Sequence, residues 1–339
     1  MVEPREIRGA VVVVTGASSG IGRAAALAFA GRGARVVVAA RRLSVLEEVA
    51  AECRERGGEG LAVPTNVTDP DAVRRLAQAA VSAFGRIDVW INNAGAGVFG
   101  PFDETDVALH RRTIEVNLLG AIYGAHAVLP IFKRQGSGVL INTCSLGGWA
   151  PTPFAAAYTA SKFGVRGFAA ALRSELGDKN IHICSVFPAM VDTPGIAHGA
   201  NTSGRAIDPG PFLYRPEDVA DTMVGLAERP RAEVAVGWPA RAAQAAYGVA
   251  PRLTETLMGA AFRGLLSRAD PAPRGEGALL RPIPEGKGET GGWLDAKGLP
   301  SAGVLSTGVV MAGIAGLALL LSTKPAGPKR PKTPGRMIG

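Results

Sequence analysis

The chain has 339 residues, 47% hydrophobic and 19% charged, enough for one large core and too apolar for a disordered protein. Its formal charge of +8 points away from nucleic acid once located: five of the charges, Lys324, Lys329, Arg330, Lys332 and Arg336, fall within 324–339. The remainder is spread thinly, unlike a phosphate-binding stripe.

Three cysteines (Cys53, Cys144, Cys184) and four histidines (His110, His126, His182, His198) lack metal-ligand spacing, so no metal is expected and the thiols should be reduced. Charged residues Glu3, Arg5, Glu6 and Arg8 precede the first apolar run, which is unlike a signal peptide. A cytoplasmic location is expected.

Taken in chain order, short β-branched runs alternate with Ala-rich stretches of helical period. Strands are predicted at 10–16, 34–40, 60–67, 87–95, 138–145, 181–188 and 233–238, and helices at 20–32, 43–57, 70–84, 105–134 and 156–177. The strand runs are apolar throughout, as suits strands covered on both faces. Together they predict an α/β fold: a doubly wound, Rossmann-type parallel sheet with helices on both sides.

The first strand runs into "TGASSGIGR" (15–23), with Gly16, Gly20 and Gly22 where a strand turns into a helix. Glycine there allows positive φ and close approach of a pyrophosphate, which the helix N-terminus would face. The second strand ends "VVVAARRL", offering Ala40 where an NAD binder carries an acid, followed by Arg41 and Arg42. Guanidinium groups suit a 2′-phosphate, so NADP (NADPH) is the expected cofactor. Further on, "AAYTASKFG" (156–164) sets Tyr158 and Lys162 one helical turn apart on one face. An ammonium beside a phenol favours the phenolate and could create an acid/base pair.

These motifs, with "NNAG" (92–95), Asn117 in "VNLLG" and Ser145 after a strand, occur in the order found in the short-chain dehydrogenase/reductase family, which residues 8–240 resemble. The resemblance implies Tyr158 as general acid/base, Lys162 as its modulator and ribose ligand, Ser145 as substrate hydrogen-bond partner, and Asn117 as anchor of a water linked to Lys162. It implies a nucleotide site of Gly16, Ser18, Ser19, Gly20, Ile21, Gly22, Arg41, Arg42, Asn66, Val67, Asn93, Ala94, Gly95, Tyr158, Lys162, Pro188 and Thr193. Three departures stand out. Asn66 replaces the family's Asp, though its amide oxygen can still accept from adenine; Cys144, read as a packing residue, precedes Ser145; and Ala189 replaces a common Gly.

The resulting expectation is an NADP-dependent oxidoreductase interconverting an alcohol and a carbonyl. A 3-oxoacyl-thioester reductase and a non-catalytic NADP-binding scaffold are the alternatives. Residues 193–215 are expected to form a mobile lid, with Phe212, Leu213 and Tyr214 facing a small apolar substrate. The family's usual pairing implies a homo-oligomer.

Four regions are predicted: a catalytic domain (1–268), a Pro/Gly-rich linker (269–303), an apolar run (304–321) and a basic tail (322–339). The apolar run holds eighteen residues without a charge. As a helix it would be about 27 Å long, near the hydrocarbon thickness of a bilayer. Association with the cytoplasmic face of a membrane is therefore expected.

Overall fold

The computed structural model describes residues 5–177 and 180–301, so the 304–321 run and the basic tail lie outside the described residues. The described residues form nine strands: β1 (Val11–Thr15), β2 (Arg35–Ala40), β3 (Glu59–Pro64), β4 (Val89–Asn92), β5 (Val98–Phe99), β6 (Gly138–Thr143), β7 (Ile181–Pro188), β8 (Ala200–Asn201) and β9 (Glu233–Val236). Seven of them form one parallel sheet in the order β3-β2-β1-β4-β6-β7-β9, while β5 and β8 pair separately. Each run predicted as a strand carries one strand of the large sheet.

The helices are α1 (Gly20–Ala30), α2 (Leu43–Glu55), α3 (Pro70–Phe84), α4 (Val107–Ile114), α5 (Gly120–Gln135), α6 (Ala156–Leu176), α7 (Gly195–His198), α8 (Pro216–Glu228), α9 (Trp238–Val249), α10 (Pro251–Arg268) and α11 (Trp293–Lys297). Local signals delimit them. In α3, Asp69 caps the first turn by accepting from Asp71 N at 2.9 Å, Pro70 opens the helix, and Gly85 ends it with φ 78°.

Two cores sandwich the sheet. Val12, Val14, Val36 and Val38 pack with α1, α2 and α8, while Val13, Val37, Trp90 and Leu140 pack with α3, α5 and α6. Every residue of β1 is buried, which is why the run reads as continuously apolar. Each such Val contributes about 1.5–3 kcal/mol relative to exposure.

Three sequence expectations change. The 105–134 helix is continuous to Gln135 but contains a π-helical turn at Glu115–Leu119. By length and composition Val107–Gln135 could cross a membrane; here Ala121, Ala125, Val128 and Phe132 are buried in the domain. The 269–303 linker, over its described part, folds back on the domain. Asn201 bridges Gly275, Arg205 bridges Pro271, and Leu279 is 1% exposed among Val98, Leu109 and Ala200. Pro and Gly here shape an irregular chain pinned by backbone hydrogen bonds, so composition misread it as a free connector.

The third concerns 193–215. Leu213 and Tyr214 are buried, Val191 bridges Tyr214, and β8 ties the segment to β5. These apolar side chains serve the core instead of facing a ligand. Phe212 packs edge-on against Trp238 with ring centroids 5.8 Å apart.

Candidate active site

The C-terminal ends of β1, β2, β4, β6 and β7 carry the predicted site, as expected where a doubly wound sheet reverses its strand order. At the end of β1, Gly16 has φ 68°, and a Cβ there would lie 2.7 Å from Ala94 Cα. A Cβ on Gly22 would lie 2.3 Å from Gly16 O. Only glycine permits this tight strand-to-helix turn. Ser19 is the α1 N-cap but makes no side-chain capping bond, and Ser18 and Ile21 are partly buried beside it. The helix thus starts without a side-chain cap, and its first N–H, on Gly20, donates to Gly288 O at 2.9 Å.

Thr15 was not among the predicted residues, yet it organises the adjoining strand end. Its Oγ1 accepts from Asn93 N at 3.0 Å and Ala94 N at 3.2 Å, and donates to Ile91 O at 3.1 Å. Asn93 Nδ2 donates to Thr15 O at 3.0 Å. "NNAG" is therefore laced to the glycine turn.

At the end of β2, burial and then the neighbouring Arg112 and Arg42 charges lower the pKa of Arg41; burial likewise lowers that of Arg42. Arg42 donates to Ser18 Oγ at 3.3 Å. Glycines without room for a Cβ and crowded guanidinium groups fit an anionic dinucleotide. Asn66 lies on an exposed loop, where its Oδ1 accepts from Thr68 N at 3.2 Å and Thr68 Oγ1 at 3.0 Å. This Asx turn occupies the oxygen that was expected to remain open for adenine. Val67 is buried against Gly120, Pro188 ends β7 buried, and Thr193 touches the Gly20 position.

The π-helical turn places Asn117, 3% exposed, where its side chain exchanges two 2.9 Å hydrogen bonds with the Ala96 backbone. A third bond, also 2.9 Å, goes to Ser161 Oγ, which donates to Tyr158 O. Ser145 caps a 3-10 turn at Leu146–Gly148 by accepting from Gly147 N at 3.1 Å. Added Cβ atoms on Gly97 and Gly147 would lie 3.2 and 3.3 Å from the Tyr158 ring, so glycines flank it. Lys162 Nζ donates to Thr143 O at 2.9 Å and sits 5.7 Å from the Tyr158 ring centroid.

The electrostatics differ from the sequence expectation. Burial raises the Tyr158 pKa, against which a hydrogen bond with Ser145 acts; burial lowers that of Lys162. The cause is enclosure: both charged forms lose water, and this outweighs any stabilisation of phenolate by Lys162. Cys144 is 3% exposed, its Sγ donates to Lys162 O at 3.3 Å, and burial pushes its pKa up to about 11. It is a packing residue, as expected, not a thiolate.

Thus Asn117, Ser145, Tyr158 and Lys162 meet around the β4 and β6 ends. Ser161 and Thr143, which support them, were missed; their role is to meet backbone and side-chain partners that the fold delivers.

The family profile described as short chain dehydrogenase matches residues 10–202. The uncharacterized oxidoreductase YxnA of Bacillus subtilis is 34% identical over 262 residues, covering 75% of this chain and 72% of the relative. Cyclohexanol dehydrogenase of an Acinetobacter species is 35% identical over 217 residues, covering 64% and 86%. Among solved structures, a short-chain dehydrogenase/reductase from Burkholderia phymatum in complex with NAD is 26% identical with TM-score 0.67, covering 74% of this chain and 96% of its own. A metagenomic short-chain oxidoreductase in complex with NADP is 33% identical with TM-score 0.59, covering 68% and 98%.

Fold, site and likeness together define an oxidoreductase acting on CH–OH and C=O groups. The chain belongs to the short-chain dehydrogenase/reductase family.

Proposed function

We propose that this chain is an NADP(H)-dependent oxidoreductase interconverting an alcohol and a carbonyl, with Tyr158 as general acid/base. The observation that carries the reading is the meeting of Ser145, Tyr158 and Lys162 beside Asn117, at the open end of the sheet. A bound nicotinamide nucleotide would supply or accept the hydride. Tyr158 gives its proton to the carbonyl oxygen during reduction and recovers it during oxidation. Ser145 hydrogen-bonds the same oxygen as negative charge develops. Lys162, held on Thr143 O, keeps donors for ribose hydroxyls, and Asn117 anchors a water joined to Lys162.

The raised phenol pKa keeps Tyr158 protonated at neutral pH, the form needed to reduce a carbonyl. Oxidation needs the phenolate, so its rate should climb toward alkaline pH while the reduction rate does not. Arg41 and Arg42 support NADP, since Arg42 crowds Arg41 and, although the Glu48 charge acts on Arg42, neither is in a salt bridge among the described residues. The likeness to cyclohexanol dehydrogenase supports a small, apolar alcohol or ketone as substrate. A homo-oligomer paired through the helices carrying Asn117 and Tyr158, and membrane association through 304–321, complete the reading.

Tyr158→Phe should lower kcat by about 10²–10⁴-fold, the usual range for a lost acid/base group, while NADPH binding in a fluorescence titration stays intact. Lys162→Ala should impair both. Wild-type turnover by Tyr158→Phe across pH would end the mechanism. Replacing Arg41 and Arg42 by Ala should erode NADPH preference by about 1.5–3 kcal/mol per charge-assisted contact. Equal catalytic efficiency of the unmutated enzyme with NADPH and NADH would remove the cofactor assignment.

A further inference from the structure

Beyond α10 the chain runs back over the groups assigned to the nucleotide phosphates, touching them in sequence order. Asn201 and Gly275 exchange backbone bonds of 2.9 and 2.8 Å, and Ala278 N donates to His198 O at 2.8 Å. The Arg41 guanidinium then donates to Ala278 O at 2.6 Å, and Arg42 to Ile283 O at 2.9 Å and Glu285 O at 3.0 Å. Arg23 donates to Lys287 O at 2.7 Å, and Gly20 N to Gly288 O at 2.9 Å. Buried Asp192 closes the path: its carboxylate accepts from Gly291 N at 3.0 Å and from Trp293 N and Leu294 N at 3.1 Å each.

These partners have one feature in common. The strap offers Arg41 and Arg42 neutral backbone carbonyls, and among the described residues no carboxylate is in hydrogen-bonding contact with either. Arg41 gives the strap one terminal nitrogen, and Arg42 shares its donors between the strap and Ser18. A guanidinium has five N–H donors in a rigid fork. Each arginine is therefore oriented while keeping both its charge and further donors. An acid at these positions would have neutralised the site. A flexible arginine would lose rotamer freedom on binding an anion, and that cost is removed when the side chain is already held.

We propose that residues 278–288 form a third wall of the nucleotide site and determine its preference for NADP(H), by holding Arg41 and Arg42 ready for a 2′-phosphate. The proposal rests on the NADP reading above. It predicts that loosening the strap costs NADPH affinity selectively, because NADH carries no 2′-phosphate for the two arginines to grip.

The strap can be loosened away from the nucleotide. Gly277 has φ 54°, and a Cβ there would lie 2.3 Å from His198 O and 2.5 Å from Gly199 O, both backbone atoms. Gly277→Val cannot keep that approach. Leu279→Asp removes the buried apolar anchor by a different route. In the full-length chain, each variant should show faster tryptic cleavage after Lys287, unchanged far-UV circular dichroism, and an NADPH Kd raised about tenfold. The NADH Kd should move less than twofold.

Tighter NADPH binding in the loosened variants would mean that the strap competes with the phosphate, and would overturn the proposal. Unchanged NADPH affinity, or an equal loss for both nucleotides, would also overturn it. The unmutated protein separates the two readings. If it binds NADPH and NADH equally, the NADP assignment itself fails; if it prefers NADPH and the variants keep that preference, only the strap's role fails.

Discussion

Cys144 and Ser145 are neighbours in the chain with opposite surroundings: the thiol is 3% exposed while the hydroxyl side is partly open. Cys53 and Cys184 are buried as well, and burial pushes the three thiols up to about 12 for Cys53 and about 11 for Cys144 and Cys184. A raised folded-state value means that each thiol's contribution to stability is fully present below the unfolded value near 9. It is lost as pH rises through about 11 to 12. Tyr158 acts in the same direction; Lys162, with a lowered value, acts in the opposite one as pH rises. Unfolding free energy should therefore fall above pH ~9, by on the order of 3 kcal/mol per thiol once the folded values are passed. Urea titrations at pH 8, 10 and 11 would measure it. At pH 8 the native chain should resist a thiol reagent that labels all three cysteines in urea, and rapid native labelling of Cys144 would contradict its packing role.

The same contrast explains which residues were legible. Tyr158 and Lys162 announce themselves by helical spacing, and Gly16 and Gly22 by their place after a strand. Asp192 and Thr15 hold backbone N–H groups far away in sequence, and Thr143 offers its own carbonyl to the Lys162 side chain, so no local pattern marks them.

At the scale of elements, periodicity located the strands and most helices, but the π-helical turn at Glu115–Leu119 was invisible to it. One extra residue in a helical turn barely alters an apolar pattern, yet it positions Asn117. Packing of α5 on β4 is equally specific. Trp90 Nε1 donates to Asn92 Oδ1 at 2.8 Å, while Asn92 Nδ2 donates to Ala121 O and Asn142 Oδ1 at 3.0 Å each. Gly124 covers this network so closely that a Cβ would lie 2.1 Å from Asn92 Oδ1 and 2.7 Å from Trp90 Nε1. Gly124→Ala would raise helix propensity by about 1 kcal/mol in isolation. Here it must part the helix from the sheet or break buried hydrogen bonds, at about 1–3 kcal/mol for overpacking or for each stranded group. The net effect should be destabilisation by about 2 kcal/mol or more in chemical denaturation, and a stabilised variant would show that this contact can yield.

At the scale of the whole molecule, the decisive boundary lies later than composition suggests. A cut near Asp270, where Pro and Gly begin, would remove the chain that holds Arg41, Arg42 and Asp192; the compact unit ends at Ala302 instead. Beyond it come the charge-free run 304–321 and the five cations of the tail, outside the described residues. The domain itself exposes Val249 (87%), Leu253 (59%), Leu257 (60%) and Leu265 (64%) along α9 and α10, with Arg252, Arg263 and Arg268 nearby in sequence. A full span of 304–321 would carry the cationic tail across the bilayer, against the positive-inside tendency. An apolar segment held at the surface, with cations on anionic headgroups, avoids that conflict. The full-length chain should therefore pellet with vesicles containing anionic lipid. A chain ended after Ala302 should remain in the supernatant and keep its turnover, whereas one ended at Asp270 should lose NADPH affinity. If the full-length chain stays in the high-speed supernatant at low and high salt alike, the membrane reading is wrong.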